Sequence, residues 1–382
     1  MRKIISLLLC IAMLLSMGAI LTACNGDTAT AEGQENQDNS DAANDSPENT
    51  EETPSDEENG GDQNGSEGNT EELYPNPDPE IEFITYNVAY YQATAGNMTV
   101  YYDDQSLSDY TVAQRAPRLY SLVEHYKPDV LALQEVNRLW WPYIVSNEDS
   151  IINAFGYEWE GNLGCFRSKN GKGTQDIELY NLLLWDPEKF EKIDSGIIRF
   201  NPNIAGNANK DRMVTWAILK NKTTGVESMF ASTHLCTQGN DELKKLNVTQ
   251  AETLTTVLKK YAGNRAIIVG GDFNASESSK AYRQMISSSF KDTRYEAAVN
   301  LTPSMGSTRF WGKNDDWQVK LPIDHIFYFG STKYTVDTYS ILYDTFDKDD
   351  VISRDVSLVG INYDLSDHLG VYAKFVEKGT KK

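Results

Sequence analysis

Residues 266–274 form the stretch from which the fold can be inferred, and they read Ala266-Ile267-Ile268-Val269-Gly270-Gly271-Asp272-Phe273-Asn274. The apolar run, rich in β-branched side chains, predicts a short buried strand. The two glycines predict the end of that strand and a sharp turn. Asp272 and Asn274 are two residues apart, so in an extended chain their side chains point the same way. A carboxylate beside a carboxamide can hold a hard cation or a phosphate oxygen, or close an Asx-rich turn.

Other stretches of residues 81–377 show the same order, an apolar run with polar residues at its end, and predict further buried strands. The polar residues that close, flank or lie in these strands are Asn87, Glu135, His234, Asp272, Asn274, Asp324, Asp367 and His368. Core packing alone gives no reason to place polar groups there, whereas polar groups gathered at one edge of a layered core make a site. We therefore expect these side chains to meet.

Leucine spacing predicts two amphipathic helices, over residues 112–126 and 241–261. The aromatic residues that begin at Trp140 and Trp141 predict another helix, running to residue 154. Many strands with helices after some of them predict two packed β-sheets with helices outside, an α/β fold.

The first 24 residues predict an export signal. Arg2 and Lys3 precede an apolar run, which ends in Leu21-Thr22-Ala23-Cys24. This ending resembles a bacterial lipobox, in which Cys24 is lipidated and becomes the mature N-terminus. Acyl chains on Cys24 would hold the protein on a membrane surface without spanning it. We expect a lipoprotein of the cell membrane with its folded domain outside the cytoplasm, in a Gram-positive or a Gram-negative envelope; the alternative is a signal anchor with an unmodified cysteine.

Residues 25–80 contain 18 acidic residues and no Lys or Arg. Such a segment cannot bury enough apolar surface to fold, and its like charges keep it extended, so we expect a disordered acidic linker. Residues 81–382 hold 38 acidic and 33 basic residues, a net charge of about −5 that predicts no broad basic surface for nucleic acid. They are enough for one large core, and we expect a monomer. Cys165 and Cys236 could form a disulfide or remain buried thiols.

Six motifs together resemble the endonuclease/exonuclease/phosphatase superfamily, which includes DNase I-like nucleases, sphingomyelinases and inositol-polyphosphate phosphatases. In chain order they are Thr85-Tyr86-Asn87, Leu133-Gln134-Glu135, Ser232-Thr233-His234-Leu235, Gly271-Asp272-Phe273-Asn274, Ile323-Asp324-His325-Ile326 and Ser366-Asp367-His368. The resemblance implies a DNase I-like four-layer α/β sandwich over residues 81–377, in which two packed mixed β-sheets are flanked by helices.

The resemblance also implies roles for the strand-end residues. Glu135, with Asn87 and Asp367 close by, would hold Mg²⁺ or Mn²⁺ through oxygen ligands. His368 would be the general base for the attacking water, oriented and kept basic by Asp324.

On the phosphate side, the resemblance assigns three further roles. His234 would donate to the phosphate or to the leaving oxygen, while Asp272 and Asn274 would position the nucleophile and the phosphoryl oxygens. Glu178 and Tyr180 resemble the Glu-x-Tyr of DNase I-like nucleases, in which the glutamate pairs with the first catalytic histidine, here His234.

Two further residues, Arg212 and His325, are assigned separately. Arg212 resembles the arginine that braces the site in this superfamily, with a surface arginine at a strand edge as the alternative. His325 follows Asp324 on a strand, so its side chain should face the other way and be structural.

These residues predict a metal-dependent phosphoesterase that hydrolyses phosphodiester bonds, most simply a nuclease-like enzyme. Loop residues that could contact a nucleic acid are Arg167, Lys169, Lys172, Arg309, Trp311 and Lys313. A sphingomyelinase-like enzyme acting on phospholipid is the first alternative, because Trp140 and Trp141 could enter a bilayer. A non-catalytic binding lipoprotein on the same scaffold is the second.

Overall fold

The computed structural model describes residues 80–90, 92–94, 97–101, 111–162, 164–168, 176–201, 211–308, 321–343, 345–346, 352–353 and 365–378. The predicted export signal with Cys24 and nearly all of the acidic linker lie outside these ranges. So do the loop residues Lys169, Lys172, Arg309, Trp311 and Lys313, and the side chains of Arg167 and Cys165.

The described chain contains many strands, with helices between some of them. The strands are β1 Glu80–Asn87, β2 Gln92–Thr94, β3 Asn97–Tyr101, β4 Val130–Val136, β5 Glu158–Glu160, β6 Cys165–Ser168, β7 Asp176–Trp185, β8 Phe190–Arg199, β9 Met213–Asn221, β10 Glu227–His234, β11 Ala266–Asp272, β12 Lys291–Asp292, β13 Val299–Asn300, β14 Asp324–Phe329, β15 Tyr334–Leu342, β16 Thr345–Phe346, β17 Ile352–Ser353 and β18 Gly370–Glu377. The helices are α1 Val112–Tyr126, a π-helical turn Pro142–Ser146, α2 Ile151–Phe155, α3 Asp241–Ala262, α4 Lys280–Ser287 and α5 Thr293–Glu296.

The strands form two large mixed sheets. The first has the order β13-β15-β18-β1-β4-β7-β5, with β6 also paired to β7, and the second has the order β12-β14-β11-β10-β9-β8. Residues such as Phe83 and Phe230, whose rings stack 6.3 Å apart, fill the space between the sheets. Helix α1 covers the outer face of the first sheet, and α3 and α4 cover that of the second. The predicted α/β sandwich is confirmed.

Strand direction brings the polar strand ends to one edge. β1 runs parallel to β4, and β10 runs parallel to β11, so Asn87, Glu135, His234 and Asp272 all lie where their strands end. β14 is antiparallel to β11 and begins at this edge with Asp324. β18 is antiparallel to β1 and follows His368 at the same edge. The two sheets therefore converge on one group of polar side chains.

The prediction that Gly270 and Gly271 end their strand is wrong, because β11 continues through both to Asp272. A Cβ atom on Gly270 would lie 2.5 Å from Cε1 of Phe83 in the opposing sheet. A Cβ atom on Gly271 would lie 2.0 Å from the carbonyl oxygen of Thr233. The glycines are needed for close approach rather than for a turn.

Helix α1 has the predicted bounds, with a capping box at Thr111 and Gln114 and a left-handed cap at Lys127. The single helix predicted from residue 140 to residue 154 is wrong. The chain forms the π-helical turn and then the separate α2, which begins after the capping residue Ser150. No helix of the described part of the chain is long and apolar enough to cross a membrane.

Candidate active site

His368 and Asp324 form a buried pair at the convergent edge. Nδ1 of His368 lies 2.8 Å from Oδ2 of Asp324. Ser307 donates its hydroxyl to the same carboxylate oxygen at 2.6 Å, and accepts hydrogen bonds from the backbone N–H groups of Ile323 and Asp324. The carboxylate is thus held on two sides, which fixes the orientation of the imidazole. Sequence reasoning missed Ser307, which belongs to none of the six motifs.

The second nitrogen of His368 faces Asp272, with Nε2 lying 3.8 Å from Oδ2 of that residue. Burial alone would lower the pKa of His368, but the charges of Asp324 and Asp272 outweigh burial and hold the pKa well above its usual value. The ring is therefore strongly basic.

Asp272 is the centre of the cluster. Its Oδ2 accepts a hydrogen bond from Nδ2 of Asn87 at 3.0 Å and lies 3.2 Å from Nε2 of His234. Its Oδ1 accepts from the backbone N–H of Asn274 at 2.8 Å. Burial would raise the pKa of Asp272, but His234 and His368 outweigh it and hold the pKa below its usual range. The carboxylate is ionised although it is buried.

Asn274 itself has a left-handed backbone conformation, with φ of 49°. The extended chain predicted from the sequence is therefore wrong at this residue. Its Nδ2 lies 3.1 Å from Nε2 of His234 and 3.0 Å from the carbonyl oxygen of Leu235. The Asx turn at Asp272 and the contact with His234 exist together, so these two readings of the stretch do not exclude each other.

His234 lies beside a buried cation. Burial and the charge of Arg212 lower the pKa of His234 to about 4, so near pH 7 its imidazole is neutral and can donate one N–H. Arg212 is 6% exposed, which rules out the surface alternative. Its Nε has no hydrogen-bond partner within the described chain. A buried guanidinium with an unused donor suits an anionic ligand.

Glu135 lies at a β-bulge, where the register of β4 against β7 shifts between Leu133 and Val136. Its φ is 61°, a left-handed conformation that costs energy in a residue other than glycine. Oε2 accepts from the backbone N–H of Tyr90 at 3.0 Å. Burial and the nearby charge of Asp367 raise the pKa of Glu135 to about 8. Two partly buried carboxylates that repel each other fit a hard divalent cation.

Other groups could also contribute to a metal centre. One ligand atom from each of Asp272, Asp324 and His368 lies within 4.8 Å of the others. Asn87, predicted as a ligand, uses Nδ2 for Asp272, while its Oδ1 accepts from the backbone N–H of Ala89 at 3.0 Å. Both polar atoms of the Asn87 side chain therefore already form hydrogen bonds within the protein, and its Oδ1 would be shared between Ala89 and a bound ion.

Glu178 does not join this cluster. The hydrogen-bond and ion-pair partners of His234 in the described chain are Glu135, Asp272 and Asn274. Burial and a hydrogen bond with Glu178 raise the pKa of Tyr180, so the two residues of the predicted Glu-x-Tyr pair with each other.

His325 points away from the cluster. Its Nδ1 lies 3.1 Å from Oδ2 of Asp292, and its Nε2 lies 2.8 Å from the carbonyl oxygen of Ala275. Because Ala275 follows Asn274 directly, this buried histidine supports the loop that carries Asn274.

Arg115 is a residue of the site region that sequence reasoning missed. Nη1 donates to the carbonyl oxygens of Val88 at 2.6 Å and Leu365 at 2.9 Å, and Nη2 donates to that of Ala89 at 3.0 Å. The side chain thus joins the segment after Asn87 to the segment before Asp367. Its position on the apolar stripe of α1 was the signal that could have identified it.

Trp140 is fully buried, with its indole N–H donating to the carbonyl oxygen of Ala89 at 3.0 Å. Trp141 packs against Trp159 and Tyr180, with ring centroids 5.5 and 4.8 Å apart. The prediction that both tryptophans are available to a bilayer is therefore wrong for Trp140. Cys236 is a free, buried thiol.

Comparison with known proteins gives one family and several distant relatives. The sequence profile of the endonuclease/exonuclease/phosphatase family matches residues 84–368. Nocturnin of Xenopus laevis is 27% identical over 191 residues, which are 45% of this chain and 43% of Nocturnin. This chain therefore matches less than half the length of that relative.

Solved structures share the fold at lower identity. An endonuclease/exonuclease/phosphatase family protein from Bacteroides thetaiotaomicron has a TM-score of 0.57 and 21% identity, over 78% of this chain and 97% of that chain. A mannosyl-6-phosphatase from the same organism has a TM-score of 0.57 and 21% identity, over 78% of this chain and 99% of that chain.

Replacing Arg115 with Leu should destabilise the protein by about 3 kcal/mol or more, because three buried carbonyl groups lose their donor. Arg118→Leu, the same substitution one turn away, should cost less than about 1 kcal/mol, since Arg118 donates to an exposed carbonyl of its own helix. Urea unfolding of both variants measures the difference. Equal destabilisation would contradict the bridging role of Arg115.

Proposed function

The chain belongs to the endonuclease/exonuclease/phosphatase family, and from this premise we propose that it is a divalent-metal-dependent hydrolase of phosphodiester bonds. The observation that carries the proposal is the approach of two buried imidazoles, His234 and His368, to the carboxylate of Asp272. Phosphodiester hydrolysis needs a base for water, positive charge at the phosphate and help for the leaving oxygen. The cluster contains groups suited to each task.

In this proposal His368 accepts the proton of the attacking water at Nε2, since Nδ1 is held by Asp324. The carboxylate keeps the ring in one orientation and stabilises the imidazolium that forms. Because the pKa of His368 is high, the ring must release a proton to solvent before it can act. The rate should therefore rise with pH.

The other side chains bind and orient. Asp272 and Asn274 position the water and the phosphoryl oxygens. Neutral His234 donates its N–H to a phosphate oxygen or to the leaving oxygen, and Arg212 adds fixed positive charge beside it.

Glu135 and Asp367 would hold the ion, Mg²⁺ or Mn²⁺, with Asn87 close by. When bound, the ion supplies positive charge to a non-bridging phosphate oxygen. The support for this proposal is the repulsion between the partly buried carboxylates of Glu135 and Asp367, which together with burial raises the pKa of Glu135.

A nuclease-like phosphodiesterase is the activity that we favour. The sphingomyelinase-like alternative loses support because Trp140 is buried in the core. The alternative of a non-catalytic binding protein would be favoured by loss of the cluster, but Glu135, His234, Asp324 and His368 are all present.

We also propose that the enzyme acts outside the cytoplasm, anchored through Cys24. The support is the sequence of residues 1–24 alone, a basic start, an apolar run and a lipobox-like ending. The acidic linker would let the domain reach beyond the membrane surface.

The purified full-length chain should hydrolyse bis-p-nitrophenyl phosphate with Mg²⁺ or Mn²⁺ and stop in EDTA. Plasmid DNA, RNA and sphingomyelin vesicles serve as parallel substrates. His368→Ala should lower kcat by roughly 10²-fold or more, because the base is lost. His125→Ala, at an exposed position of α1, should leave kcat unchanged. Metal-independent turnover, or full activity of His368→Ala, would refute the proposal.

The pH dependence of kcat/KM tests the role of the His368–Asp324 pair. The acidic limb of the wild-type profile should lie above 6.5, the ordinary pKa of histidine, because the pKa of His368 is raised. Asp324→Asn removes an anionic neighbour, so the limb should move to lower pH while the maximum rate falls.

Asp292→Asn is the matched control, since it breaks the other buried histidine–carboxylate pair, with His325. It should lower stability without moving the limb. A rate that falls as pH rises through this range would make His368 an acid instead of a base.

Cys24→Ser should abolish the incorporation of radioactive palmitate into this protein in growing cells, because the acyl acceptor is lost. On Triton X-114 partition, the variant should move from the detergent phase to the aqueous phase. Cys10→Ser, within the apolar run of the signal, should change neither result. Undiminished labelling of Cys24→Ser would exclude this anchor.

A further inference from the structure

A groove of about 770 Å³ lies between the N-terminal parts of α3 and α4. Lys244 and Lys245 line it from α3, and Lys280 and Arg283 line it from α4. All four side chains are exposed. Among the described lining residues, Asp241 is the one acid.

The groove lies beside the loop that carries Asn274. Gln238, which lines it, donates from Nε2 to the carbonyl oxygen of Asn274 at 2.7 Å. Asn274 in turn contacts His234 through its side chain, at 3.1 Å. Ser276 lines the groove two residues beyond Asn274. The groove and His234 are therefore connected through Asn274.

The groove has a local excess of positive charge on a domain whose net charge is negative. Lys244 forms an ion pair with Asp241 at 3.2 Å, but the two side chains are 57% and 91% exposed, so water and salt weaken this pair. The groove thus attracts anions although the surface as a whole does not.

The chemistry of the lining distinguishes between anionic ligands. Val248 is the one apolar residue that lines the groove, and the rest of its apolar surface comes from the carbon stems of charged and polar side chains. Lysine, arginine and serine side chains are the usual partners of nucleic-acid phosphates. Because the cations come from two helices on opposite sides, an anionic strand in the groove can contact cations on both sides.

We propose that this groove binds the phosphodiester backbone of a nucleic-acid strand whose scissile phosphate lies at Asp272, His234 and His368. The inference rests on the proposed phosphodiesterase function and names its substrate class. The lysines contribute to the affinity for the strand and take no part in breaking the phosphodiester bond.

The test compares two doubly substituted full-length chains. Lys244→Gln with Lys245→Gln removes two groove charges, and Lys333→Gln with Lys378→Gln removes two exposed charges at the opposite edge of the first sheet. The probes are fluorescein-labelled single-stranded DNA and RNA oligonucleotides, bis-p-nitrophenyl phosphate, and anionic phospholipid vesicles. Binding is measured by fluorescence anisotropy and by vesicle sedimentation, and turnover is measured at several salt concentrations.

The groove variant should show a KM and a Kd for an oligonucleotide about tenfold higher than wild type. The slope of log Kd against the logarithm of the salt concentration should fall by about 0.7 for each phosphate contact that is lost. Its kcat/KM for bis-p-nitrophenyl phosphate should be unchanged, as should every value of the control. Oligonucleotide values equal to those of the control would overturn the inference. Loss of vesicle binding with normal oligonucleotide binding would also overturn it, in favour of a lipid headgroup.

The two proposals fail separately. Turnover of bis-p-nitrophenyl phosphate without binding or cleavage of any oligonucleotide would overturn the groove assignment and leave the phosphodiesterase standing. Groove-dependent oligonucleotide binding without any turnover would uphold the groove and overturn the phosphodiesterase.

Discussion

The ionised carboxylate of Asp272, 2% exposed, lies where the ends of both sheets meet. A buried charge of this kind costs several kcal/mol unless neighbouring groups compensate it. Here the compensation comes from the N–H groups of Asn87 and Asn274 and from the charge of His368. The geometry of the site therefore depends on the register between the sheets, which approach closely because Gly270 of the second sheet leaves room for Phe83 of the first.

The parts of the structure that repeat a simple pattern could be predicted from the sequence. Apolar periodicity reports burial directly, so β11, α1 and α3 were found within a few residues of their true bounds. Polar residues at the ends of those strands indicated one edge, and the resemblance of the six motifs indicated which residues meet there. Asn87 and His234 both contact Asp272 at this edge.

The parts that depend on local backbone path or on distant segments could not be predicted. The composition of β4 does not predict the bulge at Glu135 or the left-handed conformation of this residue. Both set the direction of the Glu135 carboxylate. The same holds for Glu178, which turns to Tyr180. The burial of Arg115 depends on carbonyl groups from segments that are remote in sequence, and a helical pattern alone shows only that an arginine occupies an apolar face.

The position of β18 has a consequence for biosynthesis. This strand follows His368 in the chain, yet it lies between β1 and β15 inside the first sheet. A growing polypeptide that has not yet reached residue 365 lacks both the strand that joins those two neighbours and the histidine–aspartate pair. The proposed active site can therefore be complete only after synthesis has passed β18, and a translation product that stops before residue 365 lacks it.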